Sequence, residues 1–383
     1  MKVANLSPPA VSALIINYNT AALTKNCVAS LYAQTIRNPT SGATGVEVIV
    51  VDNASRPEER KALAEVNARL IFNDENRGYG AALNQALSLA KGEFLLFSNS
   101  DTWYFPGALQ ILLDNCQRLP RCGVVGPRLW WDRDREFLLP PSDPVTPLSF
   151  LCDTVVRQSQ WAEGRGKRWR RRALGYWQAQ TPLAQSMLSG ACLLAPKNVV
   201  DVCGGFDERF HLYYEDSDWC RRVRRQGYRL YYIPEADVAH LYNQSARQAV
   251  FAARQAGVAS LGYYFHKHYG QWLWRFLALV SERMSPMKRQ TNVWTDYTDL
   301  GKLAAPPTFS FSPHEKGAYL LQLSPQDDCL PAIARFFSAV HFSLSWTVWE
   351  QLADGEFFAQ VFLLPRLQLI GKWRWKKVHS IIL

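Results

Sequence analysis

Three short apolar segments constrain the fold most strongly. Each contains an almost continuous hydrophobic run, and Asn or Asp follows each run. They are "VSALIINYN" (11–19), "VEVIVVDNAS" (46–55) and "EFLLFSNSD" (93–101). Unbroken hydrophobicity of this length is typical of strands that are buried on both faces, as in a parallel sheet. The segments between them have helical patterns, which predicts an α/β domain with a mainly parallel sheet.

The helical patterns cover residues 20–36 and residues 57–70. Proline and acidic residues open the second of them, as is typical of a helix N-terminus. Within 76–101, Leu83, Ala86, Leu87 and Ala90 recur at helical spacing, and Lys91 and Gly92 are a typical helix end. Residues 132–183 differ, because they are rich in Pro, Arg and Trp and have no clear period. We interpret them as an insertion or flexible loop on the acceptor side, with six cations in "GRGKRWRRR" (164–172).

The C-terminal part of the chain has a different composition. Residues 246–288 are helical in pattern, aromatic and basic, and "AAPPTFSFSP" (304–313) is a predicted linker. Short β-like runs follow the linker, and their spacing predicts a small all-β sandwich.

The chain has 383 residues and a net charge of +10, which favours acidic partners such as nucleic acid, anionic lipid or phosphorylated small molecules. Its eight cysteines form no CxxC pair, which indicates reduced thiols and a cytoplasmic protein. We predict no signal peptide and no membrane span, since no apolar run reaches about 18 residues. The segment "QWLWRFLALV" (271–280) is too short to cross a bilayer, but it could lie on one.

Polar side chains follow each predicted strand, where ligands of open parallel sheets bind. Each group by itself is compatible with ordinary turn chemistry, because turns favour Asn and Asp. Together at one sheet edge they predict a binding site, in which Asp52 accepts hydrogen bonds from a ribose or a base. The residues are Asn17, Tyr18, Asn19, Thr20, Asp52, Asn53, Asn99 and Asp101.

A dinucleotide-dependent dehydrogenase is a rival interpretation, but it needs GxGxxG directly after the first strand. The residues there are "NYNTAAL", without glycine, and the "GYG" at 78–80 comes too late and lacks a third glycine. The sequence therefore argues against this class.

Asn99 and Asp101 are separated by one residue, so on an extended backbone they point to the same side. A carboxylate there can hold Mg²⁺ or Mn²⁺, and the metal can bridge a diphosphate and neutralise a leaving group. The alternative is that these residues only cap the structure that follows.

The segment "FHLYYEDSDWCRR" (210–222) places Glu215, Asp216 and Asp218 among aromatic residues. A helix is predicted after Asp216, with arginines toward its end and Asp218 as a possible cap. Glu215 and Asp216 are expected to precede that helix. Partial burial raises the basicity of a carboxylate, which would suit a general base that deprotonates a hydroxyl.

Six motifs in order make the chain resemble family 2 inverting glycosyltransferases of the GT-A fold, of the rhamnosyltransferase-like kind, over about residues 10–245. The motifs are "IINYN", "VVDNAS", "NRGYGAALNQAL…AKGEFLLFSNSD", "SGACLLAP", "GGFDERFHLYYEDSDWCRR" and "IPEADVAH".

The resemblance implies a role for each matched position. Asp216 corresponds to the catalytic base, and Asp101 to the aspartate that binds Mg²⁺ or Mn²⁺. His240 corresponds to a histidine that reaches the metal or diphosphate, although a lone histidine is often only structural. The donor-binding positions are Asn17, Tyr18, Asn19, Thr20, Asp52, Asn53, Gly78, Asn99 and Glu215. Asn99 stands where an aspartate would supply a second carboxylate, so strong metal affinity is not expected.

The resemblance further implies an α/β GT-A nucleotide-diphospho-sugar transferase domain over 1–245, a helical extension over 246–303 and a fibronectin type III-like β domain over 304–383. The expected reaction transfers a sugar with inversion from a nucleotide-diphosphate donor to a polysaccharide or lipid-linked acceptor, at the inner face of the membrane.

Two rivals stay open: an inactive relative that only binds nucleotide sugar, and a basic nucleic-acid-binding protein. No RNA- or DNA-binding motif is found, so no nucleic acid partner is expected.

Overall fold

A computed structural model describes residues 8–154, 162–241, 250–284, 296–310, 317–339 and 341–378. The chain divides into two compact units. The first comprises Met1–Leu129, Ser142–Thr146 and Ala179–Leu277, and the second comprises Trp130–Pro141, Pro147–Gln178 and Ala278–Leu383.

The strands and helices of both units are numbered together in chain order. The strands are β1 (Val11–Asn17), β2 (Val46–Asn53), β3 (Arg69–Asn73), β4 (Phe94–Asn99), β5 (Thr102–Tyr104), β6 (Cys122–Trp130), β7 (Leu183–Gln185), β8 (Cys192–Pro196), β9 (Arg229–His240), β10 (Thr298–Leu303), β11 (Thr308–Ser310), β12 (Tyr319–Ser324), β13 (Ile333–Phe337), β14 (His341–Ser343), β15 (Gly355–Leu363) and β16 (Gln368–Lys377). The helices are α1 (Ala21–Tyr32), α2 (Pro57–Leu63), α3 (Tyr79–Leu87), α4 (Ala108–Arg118), α5 (Pro147–Thr154), α6 (Ala162–Trp177), α7 (Lys197–Cys203), α8 (Glu215–Arg225), α9 (Val250–Tyr269), α10 (Gln271–Met284) and α11 (Trp346–Gln351).

The first unit is built on one large sheet with the strand order β3-β2-β1-β4-β8-β6-β9-β5, and β7 pairs with β9. The neighbours β3, β2, β1 and β4 pair in parallel, whereas β8 runs antiparallel to β4. Every residue of β1 is buried, as the continuous apolar sequence requires of a central parallel strand. The predicted α/β class with a mainly parallel sheet is confirmed.

The carboxyl ends of β1, β2 and β4 lie side by side, because the register pairs Asn17 with Asp52 and Ile16 with both Val51 and Asn99. The polar residues that end these strands therefore meet at one sheet edge. Residues 94–99 then turn into the short β5, where Thr102 pairs with His240 at the end of β9. This pairing brings the last strand of the sheet to the same edge.

The prediction of a flexible loop over 132–183 is wrong for much of that stretch, because α5 and α6 lie within it. The cationic run 164–172 is part of α6. Arg170 is only 4% exposed, and it donates hydrogen bonds to Gln322 Oε1 (2.9 Å) and Gln360 Oε1 (2.8 Å). The helix forms because distant residues satisfy its buried cation, which the local sequence does not reveal.

The second unit contains a sheet of order β10-β16-β15-β12-β13, as well as the ribbon formed by β11 and β14. Alternate residues of its strands point to opposite faces. On one face Leu320 and Phe362 pack against Ala173 and Trp177 of α6. On the other face Phe309 of the ribbon contacts the rings of Trp373 and Trp375, at 5.2 and 5.7 Å between centroids. A second sheet in the C-terminal part of the chain is confirmed, and α6 covers one face of it. The small all-β sandwich of fibronectin type III-like kind stays a prediction.

The predicted domain boundaries stay predictions. The boundary at 245/246 lies outside the described residues, and so do residues 311–313 of the predicted linker. β10 lies inside the range assigned to the helical extension, whereas β11 lies inside the described part of the linker. Among the described helices, none combines the length and hydrophobicity that a membrane span requires.

Candidate active site

Asn17, at the end of β1, is fully buried and connects three segments of the sheet edge. Its Nδ2 donates to Asp52 Oδ1 at 2.7 Å and to Ser55 Oγ at 3.1 Å. Its Oδ1 accepts hydrogen bonds from the hydroxyls of Thr20 (3.1 Å) and Thr24 (2.8 Å). The predicted residue Asn17 therefore fixes the turn between β1 and α1 and the end of β2.

The Asp52 carboxylate is also fully buried, and protein groups contact both of its oxygens. In addition to Asn17, the backbone N–H of Ser55 donates to Oδ2 at 3.2 Å, and Arg60 Nε lies 3.4 Å from the same oxygen. Its observed contacts therefore hold the strand end and α2 together. The predicted direct contact with a nucleotide stays a prediction.

Tyr18 and Asn19 are partly exposed between these two strand ends. Asn19 adopts a left-handed backbone conformation (φ 54°), in which its backbone N–H donates to Ser55 Oγ at 2.8 Å. Its Oδ1 accepts from the backbone N–H of Arg56 at 2.8 Å. Both residues lie at the predicted edge of the sheet.

Asn53 organises the loop that leads into α3. Its Oδ1 accepts from Asn73 Nδ2 (3.1 Å) and from the backbone N–H of Arg77 (3.0 Å), and its Nδ2 donates to Asn76 Oδ1 at 2.8 Å. The loop ends at Gly78, whose φ of 85° favours glycine.

Gly78 also allows a close approach between two segments. A Cβ at this position would lie 2.8 Å from the carbonyl oxygen of His211. That carbonyl accepts a hydrogen bond from the backbone N–H of Tyr79 at 3.0 Å. Gly78 thereby joins the start of α3 to the segment that carries Glu215 and Asp216.

The backbone ahead of α8 is strained. Tyr213 (φ 68°) and Tyr214 (φ 67°) are consecutive left-handed residues that are not glycine, and each costs about 1–2 kcal/mol. The structure corrects the prediction that Glu215 and Asp216 precede the helix, since α8 begins at Glu215. The sharp bend at the two tyrosines aims the first turn of α8 at the sheet edge.

Asp216 is held by backbone groups on two sides. Its Oδ1 accepts from the N–H of Ser217 at 2.6 Å, and its Oδ2 accepts from the N–H of Gly190 at 3.1 Å. A Cβ at position 190 would lie 2.7 Å from Oδ2, so only glycine leaves room for the carboxylate. Burial raises the pKa of Asp216 above its ordinary value, although these hydrogen bonds oppose the shift.

Glu215 is 6% exposed, and its Oε2 accepts no hydrogen bond from the described residues. Burial, followed by the charge of the neighbouring Asp216, raises its pKa to about 8. Among the described residues, no Lys or Arg forms an ion pair with either carboxylate. Burial and the neighbouring charge therefore favour the protonated form of Glu215 at neutral pH.

Tyr79 brings the predicted residues together. Its hydroxyl donates to Asn99 Oδ1 at 2.7 Å. Its pKa is raised well above the ordinary value, first by burial and then by the charges of Glu215, Asp216 and Asp101. The N–H of Asn99 donates to the carbonyl of Ala191 at 3.0 Å, next to Gly190, which contacts Asp216. The segment that carries Asn99 and Asp101 therefore lies beside the loop that holds Asp216. The sequence analysis quoted "NRGYGAAL" but did not single out this tyrosine.

Asp101, Asn99 and His240 form a cluster beside Tyr79. His240 Nε2 lies 3.3 Å from Asp101 Oδ1 and 3.3 Å from Asn99 Nδ2. The backbone N–H of Leu241 donates to the carbonyl of Asp101 at 3.1 Å, which fixes the end of β9 against the turn after β4.

The atoms of this cluster that could ligate a metal fit a divalent cation only in part. One carboxylate and one imidazole face each other, and no group of three or more His, Cys, Asp or Glu in the described part of the chain could enclose an ion. Mg²⁺ and related ions often take one or two protein ligands and complete their shell with phosphate and water. The arrangement therefore fits a cation that binds together with a diphosphate.

Asp218 points away from the cleft and is not merely a cap. Its fully buried carboxylate meets Lys267 Nζ (2.6 Å) and His268 Nε2 (2.8 Å) of α9, and Arg222 Nε (2.8 Å) of α8. Burial acts to raise its pKa, but the hydrogen bonds from these three groups hold the pKa at about 2. The sequence analysis missed Lys267 and His268 as its partners, because about 50 residues separate them.

Comparisons with known proteins agree with this fold. Residues 12–176 match the family described as "Glycosyl transferase family 2". That range includes Asn17, Asp52, Gly78 and Asp101, but it ends before Asp216.

The chain is 31% identical over 213 residues to an N-acetylglucosaminyl-diphospho-decaprenol L-rhamnosyltransferase of Mycobacterium tuberculosis, which covers 51% of this chain and 66% of that relative. It is 26% identical over 200 residues to the dTDP-rhamnosyl transferase RfbF of Shigella flexneri, which covers 50% of this chain and 59% of that protein. The chain thus spans less than two thirds of the length of either relative.

One solved structure with a similar chain is a mannosyltransferase from Pyrobaculum calidifontis in complex with GDP-Man and Mn²⁺. The superposition covers 74% of this chain and 75% of the mannosyltransferase chain, with a TM-score of 0.47 and 17% sequence identity.

Residues 12–176 thus form a domain that matches glycosyl transferase family 2, and the chain is rhamnosyltransferase-like in sequence.

Proposed function

We propose that this protein is an inverting glycosyltransferase, which moves a sugar from a nucleotide-diphosphate donor to a hydroxyl of a lipid-linked or polysaccharide acceptor. The observation that carries the proposal is a set of contacts that joins the candidate residues. The N–H of Gly190 donates to Asp216, the N–H of Asn99 donates to the carbonyl of the adjacent Ala191, and Asn99 also contacts the Tyr79 hydroxyl and His240. The pKa values of Glu215 and Asp216 are raised, and no described Lys or Arg forms an ion pair with either carboxylate, a combination that is typical of catalytic sites. The names of the relatives make rhamnose the first candidate for the transferred sugar.

Asp216 is the proposed general base. The N–H groups of Gly190 and Ser217 hold its carboxylate in place, and burial increases its basicity. It accepts the proton of the acceptor hydroxyl while the hydroxyl oxygen attacks the anomeric carbon. The bond from that carbon to the diphosphate oxygen breaks on the opposite face, its electrons leave with the nucleotide diphosphate, and the configuration inverts.

Asp101 and His240 would hold Mg²⁺ or Mn²⁺, which when bound neutralises the charge of the departing diphosphate. Tyr79 holds Asn99 Oδ1, so that the amide Nδ2 faces His240. Asn17 and Asp52 shape the donor side, since together they fix the strand ends and turns that would surround the nucleotide.

Contact with a membrane surface is part of the proposal. Trp272, Phe276 and Leu279 of α10 are 72%, 56% and 44% exposed, and their spacing places them on one face of the helix. Arg275 lies over the ring of Trp272 at 5.1 Å. Large apolar side chains beside a cation suit the interface of an anionic bilayer. Sedimentation with anionic vesicles should capture the protein, and Trp272→Ala with Phe276→Ala should abolish capture; equal capture would contradict this contact.

The direct test is a panel of nucleotide sugars, including dTDP-rhamnose, with a sugar-diphosphate-lipid as acceptor. We expect transfer that depends on a divalent cation, and a product whose anomeric configuration, measured by NMR, is opposite to that of the donor. Retention of configuration would contradict the single displacement, and the absence of turnover or binding with every nucleotide sugar would contradict the function.

A further inference from the structure

A cavity of about 350 Å³ adjoins the first turn of α8 in the first unit. Three arginines, Arg221, Arg224 and Arg225, contribute to its wall, and no Asp or Glu is among the described residues that line it. Ser186, Met187 and the segment 144–146 form much of the rest. We refer to this cavity as the arginine pocket.

The arginine pocket adjoins the proposed base. Ser217 lines it, and Ser217 Oγ lies 3.3 Å from Asp216 Oδ1. The three arginines follow Asp216 by five to nine residues, which is roughly 7–14 Å along the helix axis. A sugar that carries a diphosphate can bridge this span, with its hydroxyl at Asp216 and its phosphates at the arginines.

The arginines differ in how firmly they are held. Arg221 donates to the hydroxyl of Tyr269 and lies over its ring, at 4.4 Å from the centroid. Arg224 and Arg225 are both exposed, and Arg224 Nη1 donates to the carbonyl of Ser186 at 3.3 Å. Among the described residues, no carboxylate forms an ion pair with any of the three. The pocket therefore holds guanidinium groups that suit bidentate recognition of phosphate.

We propose that the arginine pocket binds the diphosphate of a lipid-linked acceptor and thereby directs the acceptor sugar toward Asp216. This inference rests on the proposed transferase function and gives its acceptor class, a sugar diphosphate attached to a lipid. In the proposed function the donor diphosphate is assigned to the cluster of Asp101 and His240, and neither residue lines the arginine pocket.

The first test measures binding without catalysis. Farnesyl diphosphate, a prenyl diphosphate that lacks a sugar, is titrated in detergent by calorimetry into the full chain and into the double variant Arg224→Ala/Arg225→Ala. Charge-assisted hydrogen bonds to phosphate contribute enough that we expect about a tenfold or larger loss of affinity in the double variant. The matched control is Arg229→Ala, an exposed arginine outside the pocket, which should bind as the wild type does.

The second test measures transfer. The double variant should raise the KM for the sugar-diphosphate-lipid about tenfold or more, with the donor KM and the thermal shift by nucleotide and Mn²⁺ unchanged. For an alkyl glycoside without phosphate, wild type and variant should have the same KM. If the donor KM changes in place of the acceptor KM, the pocket serves the donor and the inference is wrong.

Anionic vesicles distinguish the source of the phosphate. If the double variant loses vesicle binding but binds farnesyl diphosphate normally, the pocket recognises lipid headgroups, and the acceptor assignment is overturned. Should no nucleotide sugar be turned over while farnesyl diphosphate binding depends on the arginines, the transferase function fails and the diphosphate site stands. If Arg225→Gln and the double variant both bind farnesyl diphosphate with the affinity of the wild type, the arginine pocket is not a diphosphate site.

Discussion

Two groups of carboxylates lie within the first turn of α8, and their surroundings are opposite. Glu215 and Asp216 face the cleft, where no described cation pairs with them, and their pKa values are raised. Asp218, two residues further on, contacts Lys267, His268 and Arg222, and its pKa is about 2. Cationic side chains surround the carboxylate of Asp218, whereas no described Lys or Arg pairs with Glu215 or Asp216. We therefore expect Asp218 to anchor α8, and we propose the chemical role for Asp216 on the same helix.

The largest expected effect is on the transfer rate and concerns Asp216, the proposed general base. Asp216→Asn keeps the shape of the side chain but removes its ability to accept a proton, so the transfer rate should fall by about 10²–10⁴-fold. The thermal shift caused by nucleotide diphosphate and Mn²⁺ should stay the same. Asp201→Asn, an exposed change on α7, is the matched control. Normal transfer by the Asp216 variant would exclude it as the base.

The next largest effect is on stability and concerns Asp218, whose carboxylate contacts Lys267, His268 and Arg222. Asp218→Asn leaves Lys267, His268 and Arg222 around a neutral side chain, and the loss of one partner from a buried ion pair costs about 3–5 kcal/mol. We expect urea unfolding to show this decrease in the free energy of unfolding, whereas Asp201→Asn should change it by less than about 1 kcal/mol. Equal small losses in both variants would mean that the contacts between α8 and α9 contribute little.

Tyr79→Phe should have a smaller effect, because it removes one hydroxyl and leaves Asn99 Oδ1 without its donor. Asn99 is partly buried, and the net contribution of one hydrogen bond is about 0.5–1.5 kcal/mol, so we expect a loss in kcat/KM of up to about tenfold with little change in stability. Tyr32→Phe, at an exposed tyrosine of α1, should have no effect. An active enzyme with unchanged kcat/KM after Tyr79→Phe would remove the tyrosine from the site.

The smallest effect is a pH dependence of stability. The pKa of Glu215 is about 8 in the folded protein against an ordinary value of 4.5, so the folded state binds more protons between these pH values. Stability due to this group therefore falls as pH rises from about 4.5 to about 8. Glu215→Gln should remove part of this slope, giving a Tm gain at pH 8 that is larger than at pH 5. Parallel Tm curves for the two proteins would contradict the raised pKa.

The sequence predicts the structure correctly where neighbouring residues determine it. Continuous apolar runs predicted β1, β2 and β4, and the residues after them meet at one edge because parallel strands end together. The prediction fails where residues far away in the chain determine the structure. The cationic run around Arg170 belongs to a helix, and Gln322 and Gln360 accept hydrogen bonds from the buried Arg170 side chain.

The site itself was predictable to a similar extent. The motif around Asp216 indicated its position, but nothing adjacent to it reveals that Gly190 supplies an N–H from a loop before β8. The roles of these residues stay predictions until the variants above are measured.

The position of α9 limits how far the chain can be shortened. A variant cut at residue 245, where the sequence resemblance ends, would keep Asp101, Asp216 and the whole sheet. It would also lose Lys267 and His268, and Arg222 would then be the sole cation beside Asp218 among the contacts described above. A fragment that keeps all of these contacts therefore has to extend at least through His268, which lies 28 residues beyond His240 at the end of the last motif.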